Sequence, residues 1–369
     1  KNPGLKSNAI TSFAGGMEND VWVGTFNGLH KWNSKSSSFS QFNRQNTGLT
    51  DDRIMSLAVQ GNTVWVGTMT SGINLLQDDE LVAVLQHDPL DANSISSNAI
   101  SGFYIDKKNS VWATTYGGGI NRYLGNGRFE NFPKKNDSAE EFGNLRTLDL
   151  VEDDSGHLWI ATDGGGLIVL DPDSGNTKTY RHEPGNASSL SSDNVVSLLN
   201  HKGVIWIGTR DSGLNKYIPE SDSFQSYSRV LGLSSDLVYG ILADNVGQLW
   251  LSGGKGLSVL NPETGEVQVY SSSHGLQSDD FNNGAYLKLS DGSFLFGGNG
   301  GFNAFYPDQI RGNRYTPPVK ITQVSRFNKP MKLRTPIYRK QRLDLNYNDS
   351  VFGFDFAAMD FTAPEDNRF

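Results

Sequence analysis

One short pattern of hydrophobic and small residues recurs seven times along this chain. Each copy places hydrophobic residues on both sides of an aromatic one, then small residues and a Gly-rich corner, as in Val-Trp-Val-Gly-Thr at 21–25 and 64–68. The aromatic anchors are 43 to 47 residues apart: Trp22, Trp65, Trp112, Trp159, Trp206, Trp250 and Phe294. Strand-like repeats with a period of about 40–50 residues predict a β-propeller.

Each repeat contains four short strand signals. In the fourth repeat they span residues 147–151, 158–162, 167–170 and 177–180, with Asp, Gly, Ser and Pro in the turns. The second and third strands are apolar on both faces, as expected where both faces are covered. We therefore expect stacked four-stranded blades, with the recurring tryptophan packed between neighbouring blades rather than bound to sugars.

The repeat ends after Asp308, and Pro317-Pro318 marks a boundary. Residues 319–324, 343–347 and 351–356 alternate as half-buried strands do. We expect an all-β chain: a seven-bladed β-propeller over residues 1–309, then the N-terminal strands of a truncated β-sandwich at 310–369. The seventh repeat lacks a clear fourth strand, and either residues 1–7 or the segment after Pro317 could complete it.

Composition narrows the classes of partner. The net charge is −8, and no Lys/Arg-rich stripe appears, so we expect no nucleic acid to bind. No apolar run approaches the roughly 20 residues that a membrane span needs. Cysteine is absent, which excludes disulfides, thiol catalysis and thiolate metal sites. The first residue is lysine, so we expect an excised fragment whose signal peptide or membrane anchor would lie outside it.

Two segments carry a resemblance to a known family. The order Asp-x-x-Gly-x-Leu-Trp followed by a Gly-rich corner and leucine, at 153–167 and 244–257, resembles the two-component regulator propeller repeat. Residues 343–347, 351–358 and 364–369 resemble the start of the Ig-like domain called Y_Y_Y, which follows such propellers. The resemblance makes the expected β-sandwich at 310–369 an incomplete Ig-like domain.

The resemblance implies the periplasmic sensor region of a bacterial inner-membrane signalling protein. Family members usually carry two propellers, the Ig-like domain, one membrane helix and an output domain such as a histidine kinase, hybrid kinase or diguanylate cyclase. Many sense oligosaccharides, and the full-length protein is expected to form a homodimer. One ring and a short tail make this chain similar to the membrane-proximal propeller or a shortened variant.

No residue pattern predicts catalysis, a metal site or a cofactor. The six histidines are scattered, and none pairs at metal-ligand spacing. The turn that begins at Asp154 has the Asp-x-Gly-x-x-Trp spacing of the Asp-box of sialidase-like propellers, but only this copy is good. The corners Gly117–Gly119 and Gly164–Gly166 do not open helices, so we interpret them as tight bends that need positive φ.

The residue before each corner varies where a structural position would be uniform. In propellers these corners and the loops that lead into each first strand line one end of the central channel. Polar or charged side chains at both kinds of position are the predicted ligand-binding residues: Arg53, Tyr116, Arg146, Asp163, Arg210, Asp236 and Lys255. Arginine and tyrosine around a concave mouth suit hydroxyl- and carboxylate-bearing ligands; the alternative is ordinary solvated loop charge.

Three functions remain open from the sequence. The first is a non-enzymatic, extracytoplasmic sensor module that recognises a carbohydrate and relays the signal through the Ig-like domain. The second is a propeller hydrolase or lyase acting on polysaccharide, and the third is a scaffold that docks a protein partner. Binding without turnover would favour the sensor, and released product would favour the enzyme.

Overall fold

The computed structural model describes residues 4–16, 20–133, 146–310, 319–327, 329–333, 336–339, 342–343 and 351–358. The chain forms two compact units, residues 1–310 and 311–369. The described helices are single 3-10 turns at Arg229–Leu231, Ser272–His274, Pro307–Gln309 and Ile337–Arg339. Strands account for the remaining regular structure.

The described part of the first unit contains seven antiparallel sheets, which we call blades 1 to 7 in chain order. Blades 1 to 3 consist of β1 (Ile10–Gly15), β2 (Asp20–Thr25), β3 (Gly28–Asn33), β4 (Ser38–Phe42); β5 (Ile54–Gln60), β6 (Thr63–Thr68), β7 (Ile73–Gln77), β8 (Glu80–Leu85); and β9 (Ile100–Ile105), β10 (Val111–Thr115), β11 (Ile120–Gly125), β12 (Arg128–Phe132). Blades 4 and 5 consist of β13 (Arg146–Glu152), β14 (Leu158–Asp163), β15 (Leu167–Leu170), β16 (Thr177–Tyr180); and β17 (Val195–His201), β18 (Val204–Thr209), β19 (Leu214–Ile218), β20 (Ser223–Tyr227). Blades 6 and 7 consist of β21 (Gly240–Ala243), β22 (Leu249–Ser252), β23 (Leu257–Leu260), β24 (Val267–Tyr270); and β25 (Phe281–Lys288), β26 (Phe294–Gly298), β27 (Gly301–Phe305).

The first strands of the blades pack side by side around a closed ring. Each contacts the first strand of the next blade, and β25 of blade 7 contacts β1 of blade 1. The predicted β-propeller is therefore confirmed. In the described residues neither expected segment adds a fourth strand to blade 7: residues 4–7 form no strand, and residues 319–326, which follow Pro317, pair with strands of the second unit. The ring closes by face packing instead, with Ile10 and Phe13 buried against Phe302.

The recurring aromatic residue fills the gap between blades, as predicted. All six tryptophans of the repeat are at most 4% exposed, and Phe294 is fully buried. Trp112 of blade 3 packs on Leu150 and Ile160 of blade 4, and the other tryptophans contact the following blade in the same way. A wide ring at this position fills the space between splayed sheets and leaves no face open to a ligand.

A side chain on the third strand holds the loop that leads into most blades. The side chain of the second residue of the third strand accepts a hydrogen bond from the backbone N–H that lies four residues before the first strand of the same blade. In blade 3, Ser96 N–H donates to Asn121 Oδ1 at 2.8 Å. Blades 2 and 5 use Asn74 and Asn215 in the same way. In blade 7 the acceptor is Asn303, the third residue of its strand, and in blade 6 the Ser258 hydroxyl accepts the Ser234 N–H, six residues before the first strand. These hydrogen bonds fix the loops at the end of the ring where the predicted ligand residues lie.

The second unit has one described sheet. β28 (Val319–Arg326) pairs antiparallel with both β29 (Lys329–Pro330) and β30 (Phe352–Ala358). Two of the three strands predicted here are therefore present, while most of the third, at 343–347, lies outside the described residues. The assignment of residues 310–369 to an Ig-like domain stays a prediction.

Candidate functional site

In blades 1 to 5 a threonine and a glycine shape the corner between the second and third strands. The hydroxyl of Thr162 donates to the carbonyl of Gly166 at 2.6 Å, and Thr209 does the same to Gly213. Gly166 has φ +78, and a Cβ there would lie 2.2 Å from the Tyr180 carbonyl oxygen, so only glycine fits. The corner backbone is thus rigid, and the residue before it can vary freely.

The centre of the ring contains a cavity of about 400 Å³, which we call the hub cavity. Its walls come from the first strands and corners of blades 1 to 5 and 7. Hydroxyl, amide and aromatic side chains predominate among the polar lining residues, which include Thr11, Ser12, Ser56, Ser101, Tyr116, Asp149, Asn282, Asn283 and Tyr286. The volume lies within the range of small-molecule sites.

Four predicted residues converge beside this cavity, and we call them the mouth cluster: Tyr116, Arg146, Asp163 and Arg210. Arg146 pairs in register with Asp163, and an isolated β-bridge joins it to Tyr116 of the neighbouring blade. The Asp163 carboxylate lies 3.7 Å from Arg146 Nη1 and 3.6 Å from Arg210 Nη2. These distances are ion pairs rather than hydrogen bonds, so both guanidinium groups retain N–H donors for a ligand.

The mouth cluster has a net positive charge, because one carboxylate faces two guanidinium groups. Tyr116 is half-buried beside them and also lines the hub cavity. Burial raises the pKa of the Tyr116 hydroxyl, Asp163 raises it further, and Arg146 and Arg210 oppose the rise. The hydroxyl is therefore neutral at physiological pH and can donate to a ligand.

The other three predicted residues have different surroundings. The Arg53 guanidinium donates to Asp51 at 3.0 and 2.8 Å and to the Thr70 hydroxyl. Although burial opposes ionisation, hydrogen bonds from Arg53 and Thr70 hold the pKa of Asp51 below its usual range. Asp236 accepts the Arg229 N–H at 2.8 Å, and Lys255 is exposed on the corner of blade 6. Ligand binding by these residues stays a prediction.

Among the polar lining residues named above, Tyr116 alone was predicted from the sequence. Two of the others, Asp149 and Tyr286, form a hydrogen bond with each other. The Tyr286 hydroxyl of blade 7 donates across the hub to Asp149 Oδ2 of blade 4 at 3.1 Å. Asp149 also accepts the N–H groups of Leu198 at 2.8 Å and Leu150 at 2.9 Å. Burial raises the pKa of Asp149 to about 6, against the opposing effect of these three donors.

Sequence signals for both residues exist once the strands are aligned. The position that follows the bulge of the first strand is small in four other blades, as Ser12, Ser56, Gly102 and Ser197. Blade 6 has no bulge there, and Gly240, which pairs with the equivalent residue of its second strand, is small too. Asp149 is the charged exception at this position. In blade 7, the five steps from Phe281 to Tyr286 oppose only two steps on β26, and this wide bulge carries Tyr286 into the hub.

The structure corrects the anchor of the Asp-box-like turn. Asp153, not Asp154, holds it: Oδ1 accepts the N–H groups of Ser155 and His157, and Oδ2 accepts Trp159 Nε1–H at 3.0 Å. Asp154 instead faces solvent and pairs with Lys107. Trp112 and Trp250 make the same bond to Asp106 and Asp244, so the motif is a structural turn that recurs between blades.

In the described ranges, no cluster of three or more His, Asp or Glu side chains is arranged to hold a metal ion. No described helix has the length and hydropathy to span a bilayer.

Comparison with known proteins relates the chain to signalling receptors. No protein-family model matches it. The chain is 27% identical, over 99% of its length, to "Histidine kinase P4" of Formosa agariphila (strain DSM 15362 / KCTC 12365 / LMG 23005 / KMM 3901 / M-2Alg 35-1). It spans only 28% of the length of that relative.

Solved structures share the fold. The extracellular domain of the putative hybrid two-component system BT3049 from B. thetaiotaomicron matches 96% of this chain and 60% of its own, with a TM-score of 0.53 and 20% identity. A streptogramin B lyase matches 82% of this chain and 95% of its own, with a TM-score of 0.62 and 14% identity. The resemblance to two-component signalling proteins, predicted from the repeats, is thus confirmed.

Proposed function

We propose that this chain is the extracytoplasmic ligand-sensing region of a bacterial membrane-bound two-component protein, located in the periplasm. The observation that carries the proposal is the similarity along 99% of the chain to a histidine kinase more than three times as long. A segment of that kind, without the catalytic part of the kinase, suits an input domain. The whole protein would act as a homodimer, and the second unit would relay the signal.

The proposed ligand is a carbohydrate that bears hydroxyl and carboxylate groups, bound at the mouth cluster and the hub cavity. Arg146 and Arg210 supply planar donors for a carboxylate, Tyr116 supplies a ring and a hydroxyl, and the cavity walls supply neutral polar groups. Binding would transmit a signal only if the ligand has different affinities for two arrangements of the dimer.

The test begins with a glycan array and a thermal-shift screen of the purified chain, followed by analysis of each bound glycan for cleavage. A sensor is stabilised by its ligand and leaves it intact, whereas a propeller hydrolase or lyase releases product. Arg210→Ala and Tyr116→Ala should each weaken binding at least about tenfold. Arg128→Ala, an exposed arginine on the outer strand β12, is the matched control. Unchanged affinity in the first two variants would remove the mouth cluster from the site.

A further inference from the structure

Tyr286 divides the hub. Its hydroxyl reaches Asp149 on the opposite side of the ring, and its side chain passes directly over Gly240 of blade 6. A Cβ at Gly240 would lie 2.4 Å from Tyr286 Cδ1, so the absence of a side chain there makes the crossing possible. The hub cavity lies beside this crossing and has Asp149 and Tyr286 in its wall.

Asp149 keeps unused acceptor capacity. Oδ1 accepts one N–H, from Leu150, and Oδ2 accepts the Leu198 N–H and the Tyr286 hydroxyl. A carboxylate offers about four acceptor positions, so roughly one remains, on the cavity side. All three donors are neutral, and in the described residues no Lys, Arg or His side chain pairs with Asp149 or lines the cavity.

The Asp149 side chain is half-buried and lines the hub cavity, so its carboxylate keeps only part of its hydration. Without a cation beside it the charge is less favourable than in open water, since neutral donors only partly replace the lost hydration. Burial raises the pKa of Asp149 to about 6, so at neutral pH the group still carries a negative charge in most molecules. The hub cavity therefore holds one uncompensated negative charge among neutral hydroxyl and amide groups. A ligand cation with N–H donors would satisfy both the charge and the open acceptor position.

We propose that the hub cavity binds a small ligand bearing an ammonium group, which donates to the carboxylate of Asp149. This inference rests on the proposed function in using the same cavity, and it adds the charge of the group bound inside. Asp149 lies three residues along β13 from Arg146, but the bulge between Thr147 and Asp149 makes these residues oppose only two steps on β14. Asp149 is therefore roughly 7 Å deeper at about 3.3 Å per residue. The expected ligand thus carries an amino group that contacts Asp149. At its other end it carries a carboxylate or another hydrogen-bond acceptor that contacts the mouth cluster.

A matched pair of probes tests the charge directly. Tris is a compact tetrahedral molecule with one ammonium and three hydroxymethyl groups, and pentaerythritol has a fourth hydroxymethyl group in place of the ammonium. Calorimetric titration in phosphate buffer near neutral pH should show saturable Tris binding and at least about tenfold weaker pentaerythritol binding. Equal affinities, or no Tris binding, would overturn the proposal.

Variants locate the contact. Asp149→Asn should weaken Tris binding at least about tenfold, whereas Tyr286→Phe should bind Tris at least as tightly as the native chain, because a competing donor is gone. Arg128→Ala, on the exposed face of the outer strand β12, should leave Tris affinity unchanged. Retained binding in Asp149→Asn, or lost binding in a folded Tyr286→Phe, would refute Asp149 as the contact.

Asp149→Asn could fail to fold, because the NH2 group of the asparagine would face the N–H of Leu150 or Leu198, donor against donor. A pH titration of the native chain tests the same contact without that variant. The titratable groups around Asp149 are the hydroxyls of Tyr286 and Tyr104, which stay neutral in acid. Tris remains protonated there, so its affinity for the native chain should fall as pH drops through about 6, and a flat profile would refute the proposal. If Tris does not bind while Arg210→Ala still weakens glycan binding at least about tenfold, the proposed cation site is wrong and the proposed sensor function stands.

Discussion

The turn before Trp159 offers a test in which two adjacent aspartates should behave differently. Asp153 accepts three N–H groups, two from the turn backbone and one from the indole, and its Oδ2 also lies 3.3 Å from His157 Nδ1. Its side chain is 20% exposed. Asp154 is 73% exposed and contacts only the surface cation Lys107 among the described ion pairs. Asp153→Ala should therefore destabilise the propeller, and Asp154→Ala should not.

The magnitude follows from what each donor loses. A hydrogen bond to a charged acceptor contributes roughly 1.5–3 kcal/mol. The Ser155 and His157 N–H groups lie in a partly exposed turn and regain water, whereas the Nε1–H of Trp159, which is 4% exposed, has little access to it. We expect Asp153→Ala to lower the free energy of unfolding by about 2–3 kcal/mol. At about 2.1 cal/mol/K per residue, this is a melting temperature lower by about 3–5 °C.

The assay is thermal unfolding followed by tryptophan fluorescence and by circular dichroism, at low ionic strength. Asp154→Ala should shift the midpoint by less than about 1 °C, because an exposed ion pair contributes little. Equal midpoints for the two variants would refute the account. A second comparison isolates the indole: Trp159→Phe should cost more than Trp65→Phe, since the buried Trp65 Nε1 has no hydrogen-bond partner among the described residues.

Three further outcomes can be checked on the same chain. Gly240→Ala should destabilise the ring by about 2 kcal/mol or more, because its Cβ would overlap Tyr286. Gly254→Ala should be tolerated, because its Cβ would meet Leu237 Cδ2 at 3.4 Å and Asp280 Oδ1 at 4.0 Å, which are ordinary contacts, and its φ is not left-handed. Asn215→Leu leaves the Ser191 N–H without its acceptor and should cost about 1–3 kcal/mol, measured by urea denaturation. Burial lowers the pKa of His30 to about 4 and raises that of Asp149 to about 6. Between pH 6.5 and about 4, His30 is protonated in the unfolded chain but neutral in the folded one, so its contribution to stability decreases as the pH falls through this range. Between about pH 6 and 3.8, Asp149 is protonated in the folded chain but ionised in the unfolded one, so its contribution increases as the pH falls.

Contrary results are equally specific. A Gly240→Ala chain as stable as Gly254→Ala would mean that Tyr286 does not cross the hub. If Asn215→Leu were as stable as the native chain, the hydrogen bond from Ser191 N–H to Asn215 would not contribute to stability. Relative to the native chain, His30→Asn should be less sensitive to acid and Asp149→Asn more sensitive; the reverse order would contradict the burial of both groups.

The repeat pattern was enough to predict the blades because the alternation of apolar and polar residues in each strand shows which of its faces are buried. Apolar residues on both faces of 158–162 require neighbours on both sides, and a tryptophan at a fixed period needs a gap of fixed width. Three residues of the mouth cluster, Tyr116, Asp163 and Arg210, were also accessible, since a variable residue beside a repeated corner stands out. Arg146 was accessible as a charged residue where the chain enters a first strand. The anchor of the Asp-box-like turn was misplaced by one residue, because adjacent aspartates differ only in which of them faces inward.

What the sequence alone determined is therefore local and periodic: strand order, the seven repeats, the interblade tryptophans and the corners that carry Tyr116, Asp163 and Arg210. Only the tertiary structure decided how the ring closes and which side chains meet across it. Asp149 and Tyr286 are 137 residues apart, and their hydrogen bond depends on the curvature of the whole ring and on a bulge in one strand. Such a contact is set by the sum of many small packing angles, which no single repeat encodes.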